Sequence, residues 1–576
     1  VRKNGDVPAL RIALAQLNPT VGDLAGNADL IVDATREAAA AGAHVVVCSE
    51  MVLTGYPVED LALRQTFTSA SRDALPDLAA RLAAEGCGDV LTVVGYLDDE
   101  GGPRNAVAAL WRGEVVARQF KHHLPNYGVF DEHRWFKPGD ELTVLRFHGV
   151  DIGMVICEDL WQDGGPIAAL GAAGVDLVVA PNASPYERKK DDVRLELAAR
   201  RAAEAGAPLV YCNQVGGQDD LVFDGGSFVV DPSGDVVASA EQFVSKVVVA
   251  DLDLPTGSGH RSGTFAGLRV ERKVLVPDPL PPYRKLANPQ APPLSDEAEV
   301  WSALVLGLRD YVRKNGFSSV IFGFSGGIDS AVCAALAVDA LGPDNVHGVA
   351  MPSKYSSAHS LADAEELAKR LGCGFRVQPI NDMVATYVET LGLHGLAEEN
   401  VQARVRGVLL MALSNAEGHL VLATGNKTEI AVGYSTMYGD AVGAFAPIKD
   451  VFKTHVWQLA RWRNAEAERR GETPPIPENS ITKPPSAELR PGQLDTDSLP
   501  DYPLLDDILD DYVEGDRGYA DLVAAGFDPA VIDRVVRMVD IAEYKRRQYP
   551  PGTKITFKAF GRDRRLPITN RWREHH

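Results

Sequence analysis

The stretch that most constrains this chain is Gly323-Phe324-Ser325-Gly326-Gly327-Ile328-Asp329-Ser330. Ahead of it, Val320-Ile321-Phe322 is apolar and β-branched or aromatic, which predicts a buried strand; behind it, Ala331 to Leu341 predicts a helix. A strand that turns on paired glycines into a helix leaves backbone N–H groups pointing outward, with the positive end of the helix dipole behind them. Such a turn suits an anion, and the expected ligand is a phosphate. The bland alternative is a glycine-rich turn with Ser325 as a cap and Asp329 favourably placed in the first turn. The six-residue string from Ser325 to Ser330 in this strand–helix setting favours the anion.

No Gly-Lys-Ser/Thr follows the glycines, so the loop lacks the lysine that meets a γ-phosphate in a Walker A motif. Ser-Gly-Gly-Ile-Asp-Ser instead resembles the pyrophosphate-binding loop of the ATP pyrophosphatases, which cleave ATP between its α and β phosphates. That resemblance implies that Gly323 to Ser330 bind ATP and hold the departing pyrophosphate, with Asp329 helping to hold Mg²⁺.

At 576 residues the chain exceeds one core, and roughly 100–200 residues per domain predicts two or more domains. A formal net charge of −21 argues against nucleic acid as the main partner, because binding a phosphate backbone usually takes a basic face. The charge is uneven: residues 541–576 carry ten Lys/Arg, from Lys545 to Arg573, against three acids, a tail suited to a small anionic substrate. Six cysteines are scattered without a Cys-x-x-Cys pair, so neither a zinc site nor a disulfide framework is signalled. No signal-peptide pattern opens the chain and no run approaches ~18 uninterrupted apolar residues. The expectation is a soluble, cytoplasmic protein with no membrane partner.

The first half alternates strands and helices, which predicts an α/β layered domain. Three predicted strands run out into chemically potent side chains: His44 to Cys48 into Glu50, Val115 to Phe120 into Lys121, and Asp151 to Ile156 into Cys157. Strand ends are where α/β folds gather active-site groups. A cysteine attacks a carboxamide as a thiolate, so it needs a base and a donor or cation for the oxyanion, and Glu and Lys can fill those roles. Taken singly, each has a bland reading: a small buried thiol, or a solvated charge at a strand end.

The surrounding strings change that balance. Ser49-Glu50-Met51 with Thr54-Gly55-Tyr56-Pro57, Lys121 before Leu124-Pro125, and Ile156-Cys157-Glu158-Asp159 resemble, in order, the three signatures of the nitrilase (carbon–nitrogen hydrolase) superfamily. The resemblance covers about residues 10–270. It implies an αββα sandwich that hydrolyses an amide through a thioester, with Glu50 as base, Lys121 steadying the tetrahedral intermediate and Cys157 as nucleophile. It also places Tyr127, Ser184 and Lys190 where members with a glutaminase role hold glutamine, although Lys190 also reads as part of a solvated charged run.

Residues 277–293 carry seven prolines and little periodicity, and predict an extended connector. The expected organisation is therefore a nitrilase-like glutamine amidohydrolase domain over residues 1–275, a linker over 276–295, and a nucleotide domain over 296–576. In the last of these, Val346 to Met351, Val377 to Ile380 and Leu420 to Ala423 predict further strands between helices, hence a doubly wound parallel sheet with ligand at the carboxyl ends of its strands. Glu429, past the last of these strands, is a candidate to share a Mg²⁺ with Asp329.

Asn400-Val401-Gln402-Ala403-Arg404, Thr424-Gly425-Asn426-Lys427-Thr428-Glu429, Gly433 to Asp440 and Pro447 to Lys453 join the glycine loop in resembling the NAD⁺ synthetases. A nitrilase-like domain in front marks the glutamine-dependent type, and the match spans nearly the whole chain. The resemblance implies a Rossmann-like adenine nucleotide α-hydrolase domain for the second half. It implies ATP contacts from Thr424, Lys453 and Ser486, deamido-NAD⁺ contacts from Asn400, Arg404, Glu429 and Lys545, and a homo-oligomer built on a synthetase dimer. Glu429 is open to either the metal or the dinucleotide. Ammonia-dependent relatives place a lysine eight residues after that glutamate, where this chain has Met437. The implied activity is ATP-dependent amidation of deamido-NAD⁺ with ammonia from glutamine; the alternatives are a pyrophosphate-loop enzyme acting on another acceptor, such as tRNA, and a nucleotide-sensing module without turnover.

Overall fold

A computed structural model of the chain describes residues 9–254 and 262–572. Arg573 of the basic tail lies outside the described residues. By internal contact the chain divides into two compact units, Val1–Gln218 with Phe223–Leu294, and Asp219–Val222 with Ser295–His576.

The first unit is built on two sheets. One has six strands in the order Lys246–Asp253, Ala9–Gln16, Val45–Cys48, Leu91–Asp98, Arg104–Trp111, Glu114–Phe120. The other has eight, with Val150–Met154, Leu177–Asn182 and Leu209–Asn213 running parallel near its centre. These strands are nearly continuous apolar runs, as expected where both faces of a sheet are covered. Period-2 alternation sends Ile12, Leu14, Val45 and Val47 inward against Ile152, Met154, Val179 and Val210 of the other sheet. The intervening Ala13, Ala15, Val46 and Cys48 face outward against Ile31, Val32, Leu75 and Leu78 of the helices Leu24–Ala40 and Gln65–Ala84. On the far side Val155, Val178 and Ala180 meet Ile167, Leu170, Leu197 and Ala198 of the helices Gly165–Ala173 and Lys190–Ala205. The layers are therefore helix, sheet, sheet, helix. The proline-rich stretch has neither helix nor strand and is tied to this unit: the Asp251 carboxylate accepts from Tyr283 Oη at 2.8 Å and Leu286 N at 2.6 Å.

The second unit carries a four-stranded parallel sheet in the order Gly374–Val377, Val346–Ala350, Val320–Gly323, Leu420–Val421. The chain runs outward from the third strand to the first, then returns to add the fourth on the other side. The direction thus reverses at Val320–Gly323, and a crevice opens at the carboxyl ends of it and Leu420–Val421, where such sheets take ligands. One face of the sheet packs Ile321, Val349 and Val421 against Leu410 of the helix Leu396–Glu417. A satellite core of helices, among them Tyr502–Leu509 and Pro529–Ile541, surrounds Leu505, Ile508, Val535 and Val539.

One expected strand is displaced. Val377 to Ile380 is apolar enough to predict it, but the strand is Gly374–Val377, because Pro379 has no N–H for the ladder. Among the described residues no helix is long and apolar enough to cross a membrane, and all six cysteines are free thiols.

Candidate functional site

In the first unit Glu50, Lys121 and Cys157 leave three strands at their carboxyl ends and meet in a buried cluster. Lys121 Nζ donates to Glu50 Oε1 at 2.7 Å, and both side chains are 1% exposed. Cys157 lies within electrostatic reach of both, and its backbone takes φ +41°, in the left-handed region that non-glycine residues rarely occupy. The Ala183 N–H, at the end of Leu177–Asn182, donates to Glu50 Oε2 at 2.9 Å and also faces the thiol. Burial and the Glu50 carboxylate push the Cys157 thiol well above its usual value, against the opposing pull of Lys121. Burial and Glu50 thus favour the thiol over the thiolate until a proton acceptor is engaged.

Two members of this cluster, Glu132 and Asn105, lie outside every string that the sequence singles out. Glu132 Oε1 accepts from Lys121 Nζ at 3.0 Å, Tyr56 Oη at 2.9 Å and Asn105 Nδ2 at 3.4 Å. Asn105 Nδ2 also donates to Glu50 Oε1 at 2.7 Å. Burial pushes the Glu132 carboxyl up to about 7, with Lys121 opposing and Glu50 adding to the shift. Burial alone would depress the Lys121 ammonium, but Glu132 and Glu50 outweigh it and hold it well above the ordinary lysine range. Asp159 ties the pieces together, accepting from Ile156 N at 3.0 Å and from His122 N and His123 N at 3.2 and 2.8 Å, so that one carboxylate fixes the turns carrying Cys157 and Lys121.

Tyr127 is half exposed and donates to Glu158 Oε2 at 2.8 Å, next to Cys157. Ser184 is buried beyond Ala183, and its Oγ accepts from Arg194 Nε at 3.2 Å. Lys190 opens the helix Lys190–Ala205 and pairs with Glu187 at 3.6 Å.

In the second unit the strand Val320–Gly323 turns through the glycines into the helix Ile328–Leu341. Gly326 takes φ +74°, and a Cβ there would lie 2.3 Å from the Ser360 carbonyl oxygen, so no larger residue fits. Ser325 Oγ accepts from Gly327 N at 3.2 Å and meets Ser330 Oγ at 3.0 Å, but the helix N-cap is Gly327, with no side-chain cap. Ser325 thus shapes the loop without capping the helix, which leaves the first-turn N–H groups to an anion. A cavity of about 330 Å³ opens there, lined by Gly323, Phe324, Ser325, Gly327, Ile328, Asp329 and Ser330, and also by Thr424, Glu429, Lys453 and Ser486. Gly326 lies beneath it, its carbonyl accepting from Ser480 Oγ at 3.0 Å.

Lys453 Nζ donates to Asp329 Oδ2 at 2.5 Å and Glu429 Oε1 at 3.2 Å, so the two carboxylates share one positive charge. Burial would lower the Lys453 ammonium, but Asp329 and Glu429 outweigh it and raise it. Burial pushes the Glu429 carboxyl up to about 8, with Lys453 opposing and Asp329 adding. Two hard oxygen donors converging on one cation beside a phosphate loop fit Mg²⁺, which takes one or two carboxylates and completes its shell with phosphates and water. No group of three or more metal-binding side chains occurs among the described residues.

The remaining dinucleotide candidates do not line this cavity. All three instead reach the segment Gly433–Asp440: Asn400 Oδ1 accepts from Thr436 Oγ1 at 2.7 Å, Arg404 Nε donates to the Met437 carbonyl at 3.2 Å, and Lys545 Nζ donates to the Gly433 and Ser435 carbonyls at 2.8 and 2.9 Å. Much of the basic tail is likewise engaged within the unit. Arg546 and Arg547 pair with Glu543, Lys554 with Asp563 and Lys558 with Asp516, so the tail is not the free basic face its composition suggests.

Residues 11–260 match the carbon-nitrogen hydrolase family and residues 300–549 match NAD synthase. The glutamine-dependent NAD(+) synthetase of Thermotoga maritima is 44% identical over 98% of this chain and 99% of its own length; that of Rhodobacter capsulatus is 46% identical over the same shares. The solved structure of glutamine-dependent NAD+ synthetase from Acinetobacter baumannii in complex with ADP is 38% identical, covers 99% of this chain and 100% of its own, and superposes with a TM-score of 0.73. On these matches, with both units accounted for, the chain belongs to the glutamine-dependent NAD⁺ synthetase family.

Proposed function

We propose that the chain converts deamido-NAD⁺ to NAD⁺, using ATP to activate the nicotinate carboxylate and glutamine as the nitrogen donor, with AMP, pyrophosphate and glutamate as the other products. The observation that carries this reading is the presence on one chain of two centres of complementary chemistry. The first is a Cys157–Lys121–Glu50 cluster suited to opening an amide; the second is a phosphate loop whose cavity holds Asp329, Glu429 and Lys453.

In the first unit the Cys157 sulfur attacks the glutamine carboxamide carbon. The thiol proton passes to Glu50 as the C–S bond forms, and Glu50 then delivers it to the departing ammonia. Lys121, kept charged by Glu50 and Glu132, steadies the oxyanion, and water releases glutamate from the thioester. Tyr127, Ser184 and Lys190 orient the glutamine.

In the second unit the nicotinate carboxylate attacks the α-phosphorus of ATP, a step needed because a carboxylate offers no leaving group. Backbone N–H groups of the glycine loop receive the pyrophosphate, Thr424 and Ser486 hold the nucleotide, and ammonia displaces AMP from the acyl-adenylate. Asp329 and Glu429 would hold a Mg²⁺ that neutralises the phosphate oxygens. Asn400, Arg404 and Lys545 serve the dinucleotide through the segment they fasten, and Glu429 is assigned to the metal because its carboxylate shares Lys453 with Asp329. Free thiols support a cytoplasmic location. Exposed Met383, Tyr387, Leu391, Leu396 and Met411 on neighbouring helices support a homo-oligomer. Incubating the protein with glutamine, ATP, Mg²⁺ and deamido-NAD⁺ should yield NAD⁺ and AMP; AMP-forming turnover only with a different acceptor would sink the reading.

A further inference from the structure

Three cations line the cavity of the second unit among the described residues: Lys453, Lys483 and Arg406. Lys453 is committed to Asp329 and Glu429. Lys483 Nζ donates to Ser360 Oγ at 3.3 Å and Asp363 Oδ2 at 3.0 Å. Arg406 differs from both. Its Nε donates to the Met351 carbonyl at 3.1 Å, while its Nη1 and Nη2 hydrogen-bond no group among the described residues.

The surroundings explain how such a side chain is tolerated. Arg406 stands on the helix Leu396–Glu417, on the same cavity-facing stripe as Ala403, Gly407 and Leu410. Its small neighbours are packed rather than open: a Cβ on Gly407 would lie 2.9 Å from the Tyr438 carbonyl oxygen, and one on Gly439 2.8 Å from Ala403 Cβ, so the helix is held close to that segment while Arg406 itself reaches the cavity. The nearest acids, Glu488 and Asp440, are within electrostatic range but engaged elsewhere. Glu488 accepts from Ser357 N and Oγ and from Ser360 Oγ at 3.2, 2.9 and 2.7 Å; Asp440 Oδ1 accepts from Thr436 N at 2.6 Å. Burial depresses Arg406, against the weaker pull of those two acids. A guanidinium remains charged even so, and Arg406 is only part-buried, so its two open Nη donors stand at the cavity wall where a ligand can complete them.

The position selects the ligand. Met351 follows the strand Val346–Ala350, which pairs with Val320–Gly323 on the side opposite Leu420–Val421. Lys453, with Asp329 and Glu429, belongs with the Leu420–Val421 side of the phosphate loop, and Arg406 with the Met351 side. Two parallel N–H donors in a rigid fork match a phosphoryl group. We propose that Arg406 binds a phosphoryl group of a substrate in this cavity, from ATP or from the pyrophosphate bridge of the dinucleotide, on the side of the loop opposite Lys453. This inference rests on the synthetase reading given above.

The test uses the full chain with ammonium as nitrogen source, so that the first unit is not read out. Steady-state rates are measured for wild type, Arg406→Lys and Arg406→Met while ATP and deamido-NAD⁺ are varied separately, and calorimetry follows binding of α,β-methylene-ATP and of deamido-NAD⁺ alone. Arg406→Met should raise KM and Kd for one of the two ligands by about ten- to a hundredfold, the loss expected for a hydrogen bond to a charged group, with Arg406→Lys intermediate. The ligand affected identifies the source of the phosphoryl group. Affinities within twofold of wild type for both ligands would overturn the assignment. Should Arg406→Met not fold, labelling of wild type with phenylglyoxal, mapped by peptide mass, gives the answer independently: Arg406 should react in the free protein and be shielded by one of the two ligands. No reaction, or no shielding, would refute the proposal. If wild type bound the ATP analogue but made no NAD⁺, the synthetase reading would fail while the labelling still tested Arg406.

Discussion

Replacing Glu132 with Gln keeps the size of the side chain and removes its charge. Glu132 Oε1 takes hydrogen bonds from Lys121, Tyr56 and Asn105, and its charge helps Glu50 hold Lys121 as an ammonium in a fully buried place. A hydrogen bond to a charged group contributes about 1.5–3 kcal/mol, so losing the one to Lys121 should lower kcat/KM for glutamine by about 10- to 150-fold. Ammonium-supported synthesis should be unchanged, because no ammonia need then be released from glutamine. The pH profile adds a second signature. The Glu132 carboxyl titrates at about 7, so acidification below that value neutralises it in the free wild-type protein and weakens its hold on Lys121; glutamine-supported kcat/KM should fall there, and Glu132→Gln should lack that limb. Glutamine-dependent rates equal to wild type, or an equal loss with ammonium, would refute the argument.

Gly326→Ala combines a φ of +74° with a Cβ 2.3 Å from the Ser360 carbonyl oxygen, so ATP affinity should collapse and the thermal midpoint should drop; wild-type affinity by calorimetry would contradict the loop geometry. Glu429, pushed from 4.5 to about 8 by burial, keeps a proton in the folded state that the unfolded chain gives up. Its contribution to stability is therefore greatest below about pH 4.5 and declines as pH rises toward 8, and denaturant titrations of Glu429→Gln without ligand should lose that decline relative to wild type. A wild-type-minus-variant difference that is flat across the window would contradict it.

The parts legible in the sequence are those whose chemistry is local. The glycine loop is readable because a strand, a positive-φ turn and a helix start follow one another within eleven residues from Val320 to Ser330. Glu50, Lys121 and Cys157 are readable because each leaves a strand, and strand ends recur as functional positions. Glu132 is not: it sits in a four-residue helix with no periodic pattern, and its partners lie 11, 27 and 76 residues away. The resemblance picks out Asn400, Arg404 and Lys545, but not their shared grip on Gly433–Asp440, which exists only once three distant segments have folded together. The slip of one strand to Gly374–Val377 has a different origin, since apolarity marks Ile380 as buried but says nothing of whether Pro379 can join a ladder. In the basic tail, composition counts charges without revealing that Glu543, Asp563 and Asp516 meet them.

With two centres on one chain that share ammonia, Cys157→Ala separates the one from the other. The buried thiol is replaced by a small apolar methyl that fits the same space, so the fold should stand, while neither Glu50 nor Lys121 can take up the acyl group. With ATP, Mg²⁺ and deamido-NAD⁺ present, NAD⁺ formation should vanish with glutamine and return to the wild-type, ammonium-supported rate when ammonium is supplied. NAD⁺ made from glutamine by this variant would place the nucleophile elsewhere, and failure of ammonium to restore synthesis in a folded protein would contradict the independence of the two centres.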